Sequence, residues 1–446
     1  MKKIVVAGGG HGGIAAASLL AKHGFDVTVY EQHAENDMGH DWTDIFAPGA
    51  FARIDMPMPD PSLYETKENM TFYGPGFHTA LRQDIPADKL EIKMERRDIY
   101  AHIIRCAKEN GAKFEFENAV LSPIVLGDRV VGIRTEKGDV YADLVIDACG
   151  LDSPVKNGLP AVCGINADVG KNNQFYVYRA FYNRATADEV KDKYKVCLFA
   201  ENKLGIGWVA TEDDHTDLLV GRFEPFDLEE ANRTAAYYRA SNPSLGTTVL
   251  RGGQFVKIPV RQPLSKLVCD GYAAIGDAAY MTVPIIGSGI ANSFKAARML
   301  ADTVAEDTQG AFSAETLWNY QRRYYKELGN GFAVLACVKE ALTILTPEEL
   351  DYLFDNGVIT ANDMSIDADT TSLVGILQGN SIGDYKKKVM GAIKDKVLLG
   401  KMLRVGKKAA GVISVTSRMP RAYTKKAVDS WVKSYEKAIS KSIREG

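Results

Sequence analysis

The sequence predicts an α/β fold: a parallel, helix-flanked domain, interrupted by an antiparallel sheet and followed by a helical C-terminal region. Three observations carry this. A strand–turn–helix–strand pattern with spaced glycines opens the chain. Residues 172–265 alternate apolar and polar side chains with the two-residue period of half-buried strands. Residues 306–355 and 386–446 return to helical composition and spacing. At 446 residues, 46% apolar and 25% charged, the composition is that of an ordinary globular protein. That excludes a disordered chain and a polytopic membrane protein.

The opening run reads strand first. Lys3-Ile-Val-Val-Ala7 is β-branched, as a strand buried on both faces should be. Gly8-Gly-Gly-His-Gly-Gly13 then fits G-x-G-x-x-G through Gly8, Gly10 and Gly13. Gly8 permits the tight turn, Gly10 lets a pyrophosphate approach the backbone, and Gly13 lets helix and strand pack closely. Gly12 lies inside the same turn. Residues 14–23 read as the helix, whose N-terminus offers free N–H groups and a positive dipole end to phosphates. Phe25–Tyr30 is the second strand, and Glu31 at its end is placed to accept hydrogen bonds from a ribose. The basic start and apolar run also resemble a signal peptide, but five glycines and His11 break the run. The chain is therefore expected in the cytoplasm, soluble or attached to a membrane surface.

Residues 93–113 read as an amphipathic helix, with Ile99, Ile103 and Ala107 spaced by four and Gly111 as its stop. Residues 124–146 read as three strands joined by turns at Gly127-Asp128 and Lys137-Gly138-Asp139. Farther on, Ala273-Ala-Ile275 is a short strand running into Gly276-Asp277-Ala-Ala. Pro284, Gly287, Ser288 and Gly289 follow, and a helix begins near Ile290.

This second motif resembles the flavin fingerprint of the p-hydroxybenzoate hydroxylase-type FAD-dependent superfamily, which includes the geranylgeranyl reductases. The resemblance implies FAD as cofactor. It gives Asp277 the ribityl chain, and gives Gly276, Gly287, Gly289 and Ile290 the flavin. An Arg at the start of the 93–113 helix would reach the cofactor phosphates, with Arg97 the match and Arg96 the alternative. Val120 would lie against the adenine through its backbone. Gly205-Ile-Gly-Trp208 resembles the segment that lines the reductases' prenyl pocket, though their Phe-Pro is absent. Trp42, Tyr182, Trp208 and Pro284 are the expected substrate contacts. Met38-Gly-His40-Asp-Trp42 stands where the family's loop passes the flavin edge, so His40 and Asp41 are the catalytic candidates. A His titrating near neutrality can deliver a proton beside a hydride. Tyr280, Cys149 and Lys156 depart from the hydroxylases' His, Asp and Arg, which counts against a hydroxylase cycle. Cys149 itself reads as a small buried filler.

The resemblance implies a Rossmann-like FAD-binding domain in two parts, 1–165 and 266–305. Between them lies an antiparallel-sheet substrate domain, 166–265, and 306–446 is a helical region with a basic tail. The expected activity is FAD-dependent reduction of carbon–carbon double bonds in an apolar, isoprenoid-like substrate. A monooxygenase and an electron-transfer flavoprotein that docks to a partner are the alternatives. No second glycine-rich unit appears, so NAD(P)H would bind transiently, or a reduced carrier protein would supply electrons. Six scattered cysteines and seven histidines show no metal-ligand spacing.

Net charge is −3, which makes no case for nucleic acid. Residues 386–446, however, carry 17 Lys and Arg against four acids, while 346–384 hold eight acids and no Lys or Arg. Two readings stand open. The tail can lie on an anionic membrane surface through basic amphipathic helices containing Trp431, or it can pack on its own chain.

Overall fold

The computed structural model describes residues 1–364, 388, 391 and 395–443. Part of the acidic stretch, 365–384, lies outside the described residues.

A six-stranded sheet forms the first layer. Its centre is Lys3–Ala7, flanked by parallel strands Asp26–Tyr30 and Leu144–Asp147. Ile4, Val5, Val6, Leu144, Val145 and Ile146 are fully buried, as the β-branched runs require. Tyr272–Ala274 extends the sheet in parallel beyond Leu144–Asp147. This pairing brings the two glycine-rich motifs to adjacent strand ends, although some 260 residues separate them in sequence. The helix His11–Lys22 packs between this sheet and the helix Ile290–Glu306.

The helix read over 93–113 is shorter. Ile92–Glu95 is a strand, and the helix runs Arg96–Glu109. Glu95 keeps an extended backbone because Thr43–Phe46 and Tyr64–Thr66 both pair with this strand.

The second sheet has seven strands and is antiparallel from Gln174–Arg184 through Leu245–Pro259. Two of its strands, Thr71–Tyr73 and Ala80–Arg82, come from outside the 166–265 boundary, and Thr71–Tyr73 joins in parallel. That boundary is therefore corrected. One sheet face packs on the helix Leu228–Ser241 through Tyr178, Ala180, Tyr182, Leu218 and Val220. The other face, one residue out of phase, looks toward the C-terminal helices.

Those helices run Ala314–Tyr324, Asn330–Leu342, Pro347–Asp355, Lys396–Thr416 and Lys425–Ser440. A π-helical turn, Tyr325–Gly329, joins the first two. Trp431 is buried, stacks on Tyr435 and donates its indole N–H to the Val415 carbonyl at 3.0 Å. The apolar stripe of the last helix is thus consumed by its own chain, and Trp431 is not a membrane contact. Among the described residues, no single helix is long and apolar enough to cross a membrane.

Candidate flavin and substrate site

One cavity of about 1290 Å³ runs between the two sheets and under the C-terminal helices. Its first end is built by backbone. Gly10, His11, Gly12 and Gly13 line it from the first motif; Gly276, Asp277, Gly287, Gly289 and Ile290 line it from the second. The glycines are there for steric reasons. Gly8 holds φ +86°, and a Cβ on Gly13 would strike the Ala148 side chain at 2.6 Å. The helices His11–Lys22 and Ile290–Glu306 both open on glycines, with no side-chain cap. Two uncapped N-termini therefore face one cavity, an arrangement suited to a bound anion. The residues fit a dinucleotide flavin.

Glu31 lies beneath the turn and not on the wall; it accepts the Gly9 N–H at 2.7 Å and the His33 N–H at 2.9 Å. Val120 begins the strand Val120–Leu126. Two residues earlier, the Asn118 N–H donates to the Glu31 carbonyl at 2.9 Å.

Several expected residues stand elsewhere. Arg97 is exposed, and the arginine on the wall is Arg96. One step along a helix turns a side chain by about 100°, so neighbours face opposite ways. Arg96 grips Asp44 through two 2.6 Å hydrogen bonds and lies over Trp42 at 5.5 Å. Asp41 points out to Arg251 (2.7 Å) and the Gly252 N–H (3.1 Å) and does not line the cavity. Tyr182 falls on the wrong strand face and packs against the helix Leu228–Ser241. Phe175, Val177 and Arg179 of the same strand face the cavity instead. Pro284 is buried behind the wall, which its neighbours Ile285 and Ile286 form. His40, Trp42 and Trp208 do line the cavity.

Electrostatics corrects the role expected of His40. Burial, then the Arg96 charge, lowers its pKa to about 4, so its imidazole is neutral at pH 7 and is no ready acid. His11 stacks on Tyr100 at 4.3 Å, and burial with Arg96 lowers its pKa to about 3. Its Nε2 is buried and has no partner among the described residues. Burial raises Asp277 to about 6, with Arg96 and Lys156 pulling the other way. Burial likewise pushes the Cys149 thiol up, which agrees with an inert filler.

The sequence reading missed Arg179. It is buried, paired with Asp217 at 2.9 and 2.6 Å, donates to Thr43 at 2.6 Å, and lies over both Trp42 and Trp208. Charged residues inside an apolar strand are the signal that marks such a pair. Beyond Trp208 the wall is mostly apolar, formed by Val196, Leu198, Ile206, Leu219 and Phe223 below and Leu335, Leu342, Leu353 and Met402 above, with charged side chains such as Lys67, Lys388 and Lys401 among them. Among the described residues, no group of side chains could hold a metal ion.

Comparisons with known proteins agree with this architecture. Residues 6–58 match the NAD(P)-binding Rossmann-like domain. The chain is 24% identical to a digeranylgeranylglycerophospholipid reductase of Methanothrix thermoacetophila, over 81% of this chain and 92% of that one. A protein of the same name from Sulfolobus acidocaldarius is 21% identical over 98% of both chains. A geranylgeranyl bacteriochlorophyll reductase-like structure from Thermoplasma acidophilum superposes with TM-score 0.73 at 20% identity, covering 88% of this chain and 98% of that one.

Fold, paired motifs and relatives together define an FAD-dependent oxidoreductase. Within that class its similarity is to proteins named as geranylgeranyl reductases.

Proposed function

We propose that this protein reduces carbon–carbon double bonds of an isoprenoid lipid. The observation that carries the reading is the continuity of the cavity: it starts among the flavin-motif glycines and continues as an apolar passage past Trp42 and Trp208. The names of the relatives point to the same substrate chemistry.

Bound FAD would supply the hydride chemistry. The chain's own residues do the rest. Gly10–Gly13 and Gly287–Ile290 bind the cofactor's polar parts with backbone N–H groups, and Asp277 takes its ribityl hydroxyls. Arg96 and Asp44 hold Trp42 in place, and the Arg179–Asp217 pair supports Trp208 from below. The apolar wall orients a prenyl chain and excludes water. NAD(P)H or a reduced carrier supplies electrons in this reading. The same reading gives the C-terminal face an anionic lipid surface as partner. Val397 and Leu403 are exposed beside Lys396 and Lys407, and Met402 of the same helix reaches the cavity.

The test is anaerobic. Flavin reduced with dithionite is mixed with a digeranylgeranyl glycerophospholipid, and its visible band is followed. Return of the band without oxygen supports the reductase. Return only on admitting air favours the monooxygenase or electron-transfer reading.

A further inference from the structure

Double-bond reduction needs a proton as well as a hydride, and neither His40 nor Asp41 meets that need. The cations of the cavity wall differ in one respect. Arg96, Arg179, Lys67, Lys257, Lys388 and Lys401 each pair with an Asp or Glu. Lys339 also lines the cavity, but among the described residues its ammonium has only neutral oxygen acceptors: the Asn172 carbonyl at 2.6 Å and Asn173 Oδ1 at 2.8 Å. It is 4% exposed and lies 5.8 Å above the Phe223 ring. An ammonium carries three N–H groups, so two hold it in place and one is left over.

We propose that Lys339 is the proton source of this cavity, giving its Nζ proton to the substrate carbon that does not receive the hydride. This rests on the reductase reading above. The balance is simple. Hydride from reduced flavin forms a C–H bond at one carbon and leaves the flavin oxidised by two electrons. The Lys339 N–H bond breaks and its proton forms the second C–H bond, consuming the π bond. The lysine is left neutral and regains its proton from solvent.

The surroundings suit the task. Burial lowers the pKa of Lys339 to about 8, Arg261 and Lys408 push the same way, and Glu340 and Cys337 oppose them. An acid is most effective when its pKa lies near the working pH. The carboxylate that could have fixed the charge, Glu340 on the same helix, is engaged by Lys408.

The experiment uses holoprotein reduced with dithionite and reoxidised anaerobically by a digeranylgeranyl glycerophospholipid, from pH 6 to 9. The wild-type rate should fall as pH rises through about 8. Lys339→Met should reoxidise about a hundredfold more slowly, the scale of a lost general acid, with no alkaline limb. Its flavin content and its rate of reduction by dithionite should stay unchanged. Lys339→Arg should restore part of the rate and move the alkaline limb upward, because a guanidinium stays protonated. If Lys339→Met loses flavin, Lys339→Gln, which keeps donors for Asn172 and Asn173, carries the same test. A methionine variant with the wild-type rate and limb would overturn the proposal. So would one that only raises the lipid concentration for half-saturation, the mark of a headgroup anchor. Wild-type flavin that no prenyl lipid reoxidises would overturn the reductase reading, and this step with it.

Discussion

At the residue scale, two adjacent arginines make the sharpest contrast. Arg96→Met leaves the half-buried Asp44 without the guanidinium that grips it, which should cost about 1–3 kcal/mol, the loss for a charged group left without its hydrogen-bond partner. Arg97→Met removes an exposed side chain and should stay within about 0.5 kcal/mol of wild type. Denaturant unfolding of both variants checks this. Asp277→Ala should purify largely colourless; full FAD retention would refute the ribityl contact. His11 sets a pH signature. Its pKa is lowered on folding to about 3, so the folded state binds fewer protons than the unfolded state below pH 6.5. Its contribution is therefore present above pH 6.5 and is lost as pH falls toward 3. Between pH 6 and 4, His11→Gln should flatten the loss of stability by about 1.4 kcal/mol per pH unit relative to wild type.

At the element scale, strand parity and helix phase decide what reaches the cavity. On the strand Gln174–Arg184, odd-numbered Phe175, Val177 and Arg179 face the cavity while Tyr178, Ala180 and Tyr182 pack on a helix. The π-helical turn Tyr325–Gly329 inserts one extra residue before the helix Asn330–Leu342. That insertion rotates the later part by about 100° relative to the earlier one, and it brings Leu335, Lys339 and Leu342 onto the wall. The last helix is held by Trp431, which packs edge-on against Trp318 and Tyr325 and stacks on Tyr435 of its own helix. Trp431→Ala should cost about 3–5 kcal/mol, the usual loss for a buried tryptophan. Equilibrium unfolding followed by the remaining tryptophans would show it.

At the scale of the whole molecule, the cavity belongs to no single part of the chain. The six-stranded sheet supplies the nucleotide end, the seven-stranded sheet the floor, and the C-terminal helices the roof. Narrowing the roof should therefore discriminate substrates by length. Leu335→Trp should lower turnover of a C20 prenyl lipid at least about tenfold while sparing shorter chains and leaving FAD content unchanged. Anaerobic flavin reoxidation with prenyl lipids of increasing length would measure it.

What the sequence determined by itself was local. Whereas the lack of room at Gly13 is set by Ala148, far along the chain, Gly8 needs positive φ, a demand of its own backbone that a few contiguous residues reveal. The same holds for the β-branched strand Lys3–Ala7 and for the alternation of Gln174–Arg184, which marked a strand without saying which face was inward. Tertiary structure decided the rest: Arg96 over Arg97, Phe175 over Tyr182, Trp431 inside its own chain, and Lys339 on the wall. It also brought Thr71–Tyr73 and Ala80–Arg82 into the second sheet. Backbone sterics act between neighbours in the chain, so they leave a mark in the sequence. Which side of an element is buried depends on partners up to hundreds of residues away, and only the folded chain sets those partners beside it.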